Sequence, residues 1–329
     1  MTRRYYGLRY FSWFLAWYHC SIKPRFFTVL SYIRTSPMRR TEVPKELVVV
    51  TSTFCNAKCV FCSYRKLSYE KKIMPRSVFE KGADDFKRAG GSRLMFSATL
   101  GEVTLDPELF DKIRYAKHLG FRIGMYTNGF LLGSLCKELV SLVDDLVISI
   151  GDINPSLEAQ IFGIPEVLAR KKIQSLFDLV RYNAKEGKPL RITLAMRSQR
   201  SFATLYKDSR FCALLDEVNI DFLFGYDNWS GTITSDDLLG VMKLRQPIRK
   251  GNIPCQGLRR ISLLPNGDIR LCACKVLKNE SDELVVGNIC HDDFAKIFSS
   301  KAINSLHKKF EQQEYPEVCQ QCTRYSPLK

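Results

Sequence analysis

Cys55, Cys59 and Cys62 fall within eight residues, in the segment Thr53-Phe54-Cys55-Asn56-Ala57-Lys58-Cys59-Val60-Phe61-Cys62. No histidine stands nearby to complete a fourth ligand. Structural zinc closes its shell with four ligands, whereas a four-iron cluster held by three thiolates keeps one iron open to an exchangeable ligand. The spacing therefore points to an open iron, which is a reaction site. A second set lies far downstream, where Cys255 is followed by eleven residues, Gly267, four residues and Cys272, and later by Cys319-Gln320-Gln321-Cys322. On residue type alone, those four thiolates could close around zinc.

The elements that must position these cysteines are legible in the pattern. From about residue 46, short β-rich runs alternate with longer amphipathic stretches, the mark of repeated strand-helix units around a parallel sheet. Strands are expected at Leu47 to Thr53, Arg93 to Ser97, Arg122 to Thr127, Leu146 to Ile150, Arg191 to Met196 and Val218 to Phe224. Helices are expected at Pro75 to Ala89, Pro107 to Leu119, Leu132 to Val143, Pro165 to Glu186 and Phe202 to Leu215, several opened by a proline, which a first helical turn tolerates. The fold class is thus α/β, a partial (β/α)6 TIM-like barrel with a small C-terminal cysteine-rich α+β domain. Ligands of such folds gather just after the strands, at their carboxyl ends. A hairpin is explicit in the C-terminal region, with Ile261, Leu263 and Leu264, then Pro265-Asn266-Gly267-Asp268, then Ile269 and Leu271.

Three domains are expected: a basic aromatic arm over 1–45, a catalytic core over 46–250 and the cysteine-bearing appendage over 251–329. The chain of 329 residues carries a formal net charge of +16 and twelve cysteines. Residues 1–46 hold nine Lys or Arg against two acids, interleaved with Tyr5, Tyr6, Tyr10, Phe11, Trp13, Phe14, Trp17 and Tyr18. Rings and cations together suit the headgroup layer of an anionic membrane, or packing against the main domain or a partner. Elsewhere the positive charge is scattered, so no nucleic-acid partner is expected. No secretory leader or run of about 18 apolar residues is evident, which favours a cytoplasmic setting and metal over a disulfide framework.

The loop spacing, with Phe61 directly before the last cysteine, resembles the signature of the radical S-adenosylmethionine (SAM) superfamily, whose fold is a partial barrel. The resemblance implies that Cys55, Cys59 and Cys62 each bind one iron of a 4Fe-4S cluster. It implies too that SAM chelates the fourth through its amino and carboxylate groups, and that Phe61 packs near the adenine. Ser97-Ala98-Thr99-Leu100-Gly101-Glu102 is similar to the family's Gly-Gly-Glu motif, with Leu100 in place of the first glycine, and implies that Gly101 and Glu102 hold the methionine ammonium. Thr127-Asn128-Gly129 resembles the family's Thr-Asn-Gly segment. Ser149 and Asp152 stand where relatives bind the ribose hydroxyls. Downstream, the spacing resembles the SPASM domain and its shortened twitch form. That implies one auxiliary 4Fe-4S cluster on Cys255, Cys272, Cys319 and Cys322. Cys274 and Cys290 are left as candidate hydrogen donors to a substrate radical, while Cys20, Cys136 and Cys212 read as core residues and His118, His291 and His307 as surface or cap residues.

The activity so implied is reductive cleavage of SAM to a 5'-deoxyadenosyl radical that abstracts hydrogen from a substrate. Oxidation or epimerisation of a carbohydrate-like or lipid-linked saccharide is the expected outcome. Modification of a peptide is the alternative, and a non-catalytic iron-sulfur redox sensor stands outside both. Partners expected are the small-molecule or lipid-linked substrate, an electron donor such as flavodoxin or ferredoxin, and peripheral membrane contact through the arm.

Overall fold

The computed structural model describes residues 43–240, 242–273 and 282–328. Nearly all of the basic aromatic arm, with Cys20, and the candidate hydrogen donor Cys274 lie outside the described residues. Within them, β1 (Glu46–Val49), β2 (Arg93–Phe96), β3 (Arg122–Thr127), β4 (Asp145–Ile150), β5 (Arg191–Met196) and β6 (Asn219–Phe222) pair in parallel in chain order. Leu47 and Val49 are fully buried, whereas Glu46 and Val48 between them are only half-buried. Alternate side chains thus turn outward under the helices and inward to the hollow of the curved sheet. The helices Arg76–Arg88, Leu109–His118, Leu132–Leu142 and Glu166–Lys185 return the chain between strands and are close to the expected spans.

Three differences have local causes. The expected helix over 202–215 is two, Phe202–Leu205 and Ser209–Leu215, because Asp208 caps the second through the Arg210 amide. A helix not foreseen, Pro155–Phe162, begins where the Asn154 side chain accepts from the amides of Ser156 and Leu157, and ends at Gly163 with φ of 60°. The C-terminal region is not a separate layer. After a small parallel pair, β7 (Gly225–Tyr226) and β8 (Lys243–Leu244), β9 (Ile261–Leu263) lies parallel to β1. Then β10 (Asp268–Leu271) and β11 (Val285–Asn288) extend one nine-stranded sheet in the order β11-β10-β9-β1-β2-β3-β4-β5-β6. The expected boundary at 250 is therefore crossed by continuous strand pairing. His307, expected at the surface, is buried in the helix Lys301–Glu311.

The two ends of the barrel differ in kind. At the amino ends, the one buried carboxylate of Asp145 gathers Arg93, Arg122 and Arg191 from three other strands. There the polar groups serve to join strands to one another. At the carboxyl ends, the polar groups face the cysteine loop.

Candidate functional site

The loop carrying Cys55, Cys59 and Cys62 leaves β1 and is held by backbone bonds. The Lys58 and Val60 amides donate to the carbonyls of Phe162 and Ile161 at 3.1 and 3.0 Å, so the unforeseen helix is the platform of the loop. The contact is close enough that a Cβ on Gly163 would stand 2.5 Å from the Lys58 carbonyl oxygen. The Cys55 amide donates to the Tyr64 hydroxyl, and the Tyr64 amide donates to Cys62 Sγ at 3.5 Å. Burial pushes the Cys59 thiol well above its ordinary pKa, and the neighbouring Cys62 and Cys55 sulfurs push it further. Three thiolates gathered in a half-buried loop call for a cation to compensate them.

Glu102 ties this loop to the next two strand ends. Its amide donates to the Phe54 carbonyl at 2.7 Å, one carboxylate oxygen accepts from Thr104 and from Thr127 Oγ1, and the other accepts from the Asn128 amide. Burial raises its pKa, and those donors oppose the rise. Gly101 has φ of 127°, and a Cβ there would lie 2.6 Å from the Ser52 carbonyl oxygen, so only glycine lets the β2 loop approach the β1 exit. Asn128 Nδ2 donates to Asn56 Oδ1 at 2.7 Å, inside the cysteine loop. The structure thus brings Gly101, Glu102 and Asn128 against the loop, with the Glu102 carboxylate engaged in fixing it.

Ser149 ends β4 beside a residue that sequence reasoning missed. Arg197, just past β5, donates from Nη1 to Ser149 Oγ at 2.7 Å, and its guanidinium carbon lies 4.2 Å from the Phe61 ring centroid. Phe61 also meets Phe162 edge-on and Tyr226 at 6.3 Å. The missed signal was positional, since Arg197 follows a strand as Ser149 nearly does. Asp152 lies deeper. Its fully buried carboxylate is paired with Arg200 and accepts from Ser198 and from the Asn154 amide, so it anchors the β4 and β5 loops to each other. A second buried pair, Lys172 with Glu158, supports the floor. The ammonium donates to the Ser149 carbonyl and sits 3.5 Å from the Phe162 ring centroid, while Glu158 accepts from the amides of Gly151 and Asp152.

The downstream cysteines also converge. A Cβ built on Gly257 would lie 3.2 Å from Cys272 Sγ and 3.4 Å from Cys255 Sγ, so the two sulfurs flank one glycine. Burial pushes the Cys319 thiol up to about 12, with Cys322 and Cys255 adding to the rise. Cys255 forms an isolated bridge to Pro327, and Cys272 turns the chain at φ of 63° with its amide on the Arg260 carbonyl. Buried Arg270 pairs with Asp282 and donates to the Cys272 carbonyl. Cys290 is exposed and lies against the Gly267 turn, at the other end of β10 from Cys272 and roughly 15 Å away at strand rise.

Both sites fit an iron-sulfur cluster. Amides donate to sulfur at Cys62, Cys255 and Cys322, the last two at 3.3 Å. Directly after the last cysteine of each site, the hydroxyls of Ser63 and Thr323 are buried without a hydrogen-bond partner. An acceptor from outside the chain, such as a cluster sulfide, would satisfy them. Among the described residues no three His, Cys, Asp or Glu side chains close around one metal ion. Thiolates on separate corners of a four-iron core need not do so. Beside β1 and β9, a small gap of about 10 Å³, room for one water molecule, is lined by Val50, Tyr69, Thr99, Ser262, Leu264 and Arg270. The Ser262 hydroxyl is buried there without a hydrogen-bond partner.

Comparison with known proteins agrees with this geometry. Residues 49–208 match the family model described as the Radical SAM superfamily, and residues 255–323 match the SPASM model, an iron-sulfur cluster-binding domain. A curated relative from Pyrococcus furiosus, the tungsten-containing aldehyde ferredoxin oxidoreductase cofactor-modifying protein, is 29% identical over 144 residues. That match covers 44% of this chain and 40% of the relative, so well under two thirds of the relative is spanned. Among solved structures, BtrN in complex with AdoMet and 2-DOIA superposes with a TM-score of 0.57 at 16% identity, covering 87% of this chain and 96% of that one. Streptococcus suis SuiB bound to precursor peptide SuiA gives 0.58 at 16%, covering 87% and 72%. Native anSMEcpe with bound AdoMet and Cp18Cys peptide gives 0.55 at 17%, covering 87% and 92%. At these identities the structures speak to the fold.

Proposed function

The chain belongs to the radical SAM superfamily and carries a SPASM iron-sulfur domain, and from that premise we propose that it abstracts hydrogen from a small, carbohydrate-like substrate held between its two cysteine sites. The family implies a 4Fe-4S cluster, SAM and an auxiliary iron-sulfur cluster. When bound, they supply the electron and the carbon radical for the abstraction. Cys55, Cys59 and Cys62 would hold the first cluster, and Cys255, Cys272, Cys319 and Cys322 the second.

The other residues position. Glu102 and Asn128 hold the cysteine loop against the ends of β2 and β3. Ser149 and Arg197 offer a hydroxyl and a buried cation at the ends of β4 and β5, suited to the polar groups of SAM. Phe61, sandwiched among Arg197, Phe162 and Tyr226, offers a ring to the adenine. Burial of these groups excludes water from the place where a radical would react with it.

What supports the small-substrate class is the single downstream set of Cys255, Cys272, Cys319 and Cys322, enough for one auxiliary cluster, together with the likeness in fold to BtrN, solved with AdoMet and 2-DOIA. Oxidation or epimerisation of a sugar ring is the reading preferred, with the ring free or lipid-linked. Attachment to a membrane would fall to the basic arm, since among the described residues no helix is long and apolar enough to cross one. Cys274 would return hydrogen in an epimerisation, whereas Cys290, exposed against the Gly267 turn, stands away from both cysteine sites. A second reading, peptide modification, is favoured by the edge of β6, which has no further strand beside it among the described residues and after which Phe224 is 68% exposed. The test begins with anaerobic reconstitution, iron and sulfide counts and detection of 5'-deoxyadenosine after reduction with SAM. Two four-iron clusters and 5'-deoxyadenosine are expected. Cluster-replete protein that never cleaves SAM would overturn the enzymatic reading in favour of a sensor. Saccharide and peptide candidates offered to the reconstituted protein then separate the two readings: hydrogen abstraction from a saccharide is expected, and abstraction from peptides alone would overturn the substrate class.

A further inference from the structure

The segment Asp227–Gly231, after β7, touches both cysteine sites, and it does so at matching places. Trp229 Nε1 donates to the Phe61 carbonyl at 2.7 Å, and Phe61 directly precedes Cys62, the last cysteine of the first loop. Asn228 Nδ2 donates to the Gln321 carbonyl at 2.9 Å, and Gln321 directly precedes Cys322, the last cysteine of the second. Around these two bonds the segment is stiff. Ser230 Oγ donates to the Val318 carbonyl, Asp227 pairs with Arg324, and a Cβ on Gly231 would collide with the Gln321 side chain at 2.4 Å. Internal bonds fix its shape, with the Trp229 amide on Asp227 Oδ1 and the Ser230 amide on Asn228 Oδ1. Both Trp229 and Ser230 are held at positive φ, 48° and 54°, a conformation a non-glycine residue keeps only where its surroundings enforce it. Ring contact between Tyr226 and Phe61 and the Lys66 bond to the Thr232 carbonyl flank the strap on the first site's side.

We infer that this segment is a coupling strap, with Trp229 and Asn228 as positioning residues: filling the auxiliary site fixes the strap, and the strap sets the carbonyl of Phe61 and hence the seat of SAM. The inference rests on the reading of the two cysteine sets as cluster sites. A rigid element bonded to both sites transmits order from one to the other without any ligand spanning them.

The test is a double-mutant cycle on the full-length protein, with SAM affinity and the electron paramagnetic resonance spectrum of the reduced first cluster with SAM as readouts. Iron and sulfide counts come first: a wild type without two clusters refutes the site assignment, and the inference with it. Trp229→Phe keeps the ring and loses the N–H, and should weaken SAM binding about three- to tenfold, the range for one lost hydrogen bond, and shift the spectrum while leaving both clusters in place. Cys319→Ala with Cys322→Ala, which empties the auxiliary site, should weaken SAM binding by a similar factor. Combining them should add little further loss, because both break the same chain of contacts. Losses that multiply, or an unchanged spectrum and affinity in Trp229→Phe, would overturn the strap. Should the double-cysteine variant misfold, Asn228→Ala takes its place in the cycle under the same criteria.

Discussion

The two cysteine sites are framed in opposite ways. The first draws its thiolates from eight consecutive residues, 55 to 62, and its loop is pinned by backbone bonds to one helix end and two strand ends. The second draws its thiolates from positions spread between 255 and 322, brought together by a hairpin, a bridge to Pro327 and the strap. A local loop can be shaped before it meets a cofactor. A site assembled from distant pieces must first pay the chain entropy of gathering them. The first site should therefore fail chemically when its residues change, and the second should fail structurally.

The largest expected effect tests the first half of that contrast. Cys55→Ala, Cys59→Ala and Cys62→Ala together should abolish 5'-deoxyadenosine formation yet leave a folded protein holding one cluster, as read by iron count and circular dichroism. Loss of all iron would show that the two sites are not separable. Next comes Asp282→Ala, which leaves the buried Arg270 guanidinium without its carboxylate beside Cys272. Stripping the partner from a buried charge costs about 3 kcal/mol. Thermal unfolding should show that loss together with an iron count falling toward four, and an unchanged melting temperature would refute the structural account of the second site.

Smaller effects probe the frame of the first site. Glu102→Gln keeps the shape but turns an amide nitrogen toward one of the donors on Glu102, whichever way it rotates. About 2 kcal/mol of stability should be lost, from one buried donor left unsatisfied, with a weaker hold on the first cluster measured by chelator challenge. Gly163→Ala should cost about 1 to 2 kcal/mol, because φ of 60° and a carbonyl 2.5 Å away both oppose the methyl group. Denaturant unfolding measures the cost, and a neutral result would mean that the helix platform yields easily.

Much of this was open to reading before any coordinates. Strands β3 and β5 lie at their expected residues, and the helices over 76–88 and 166–185 differ from expectation by a residue at either end, because long periodic patterns bounded by proline carry their own limits. The helix Pro155–Phe162 was missed, although Asn154-Pro155 and Gly163 are ordinary start and stop signals, because the run between them is short and follows a strand without pause. The surroundings of Asp152 were hidden for a different reason. Its position after β4 was legible, but its partner Arg200 comes from another loop.

What the sequence determined by itself was the chemistry of each element: three thiolates at a strand exit, an acid and a glycine at the next, a hairpin between Cys255 and Cys272. Spacing along the chain is enough for that, since side-chain alternation in a strand and the bonds of a turn are set within a few residues. Only the tertiary structure decided which elements meet. The joining of β9 to β1, the seating of Arg197 against Ser149 and Phe61, and the reach of Asp227–Gly231 to both cysteine sites are contacts across many tens of residues. They are settled by burial and by pairing of polar groups that no local pattern encodes.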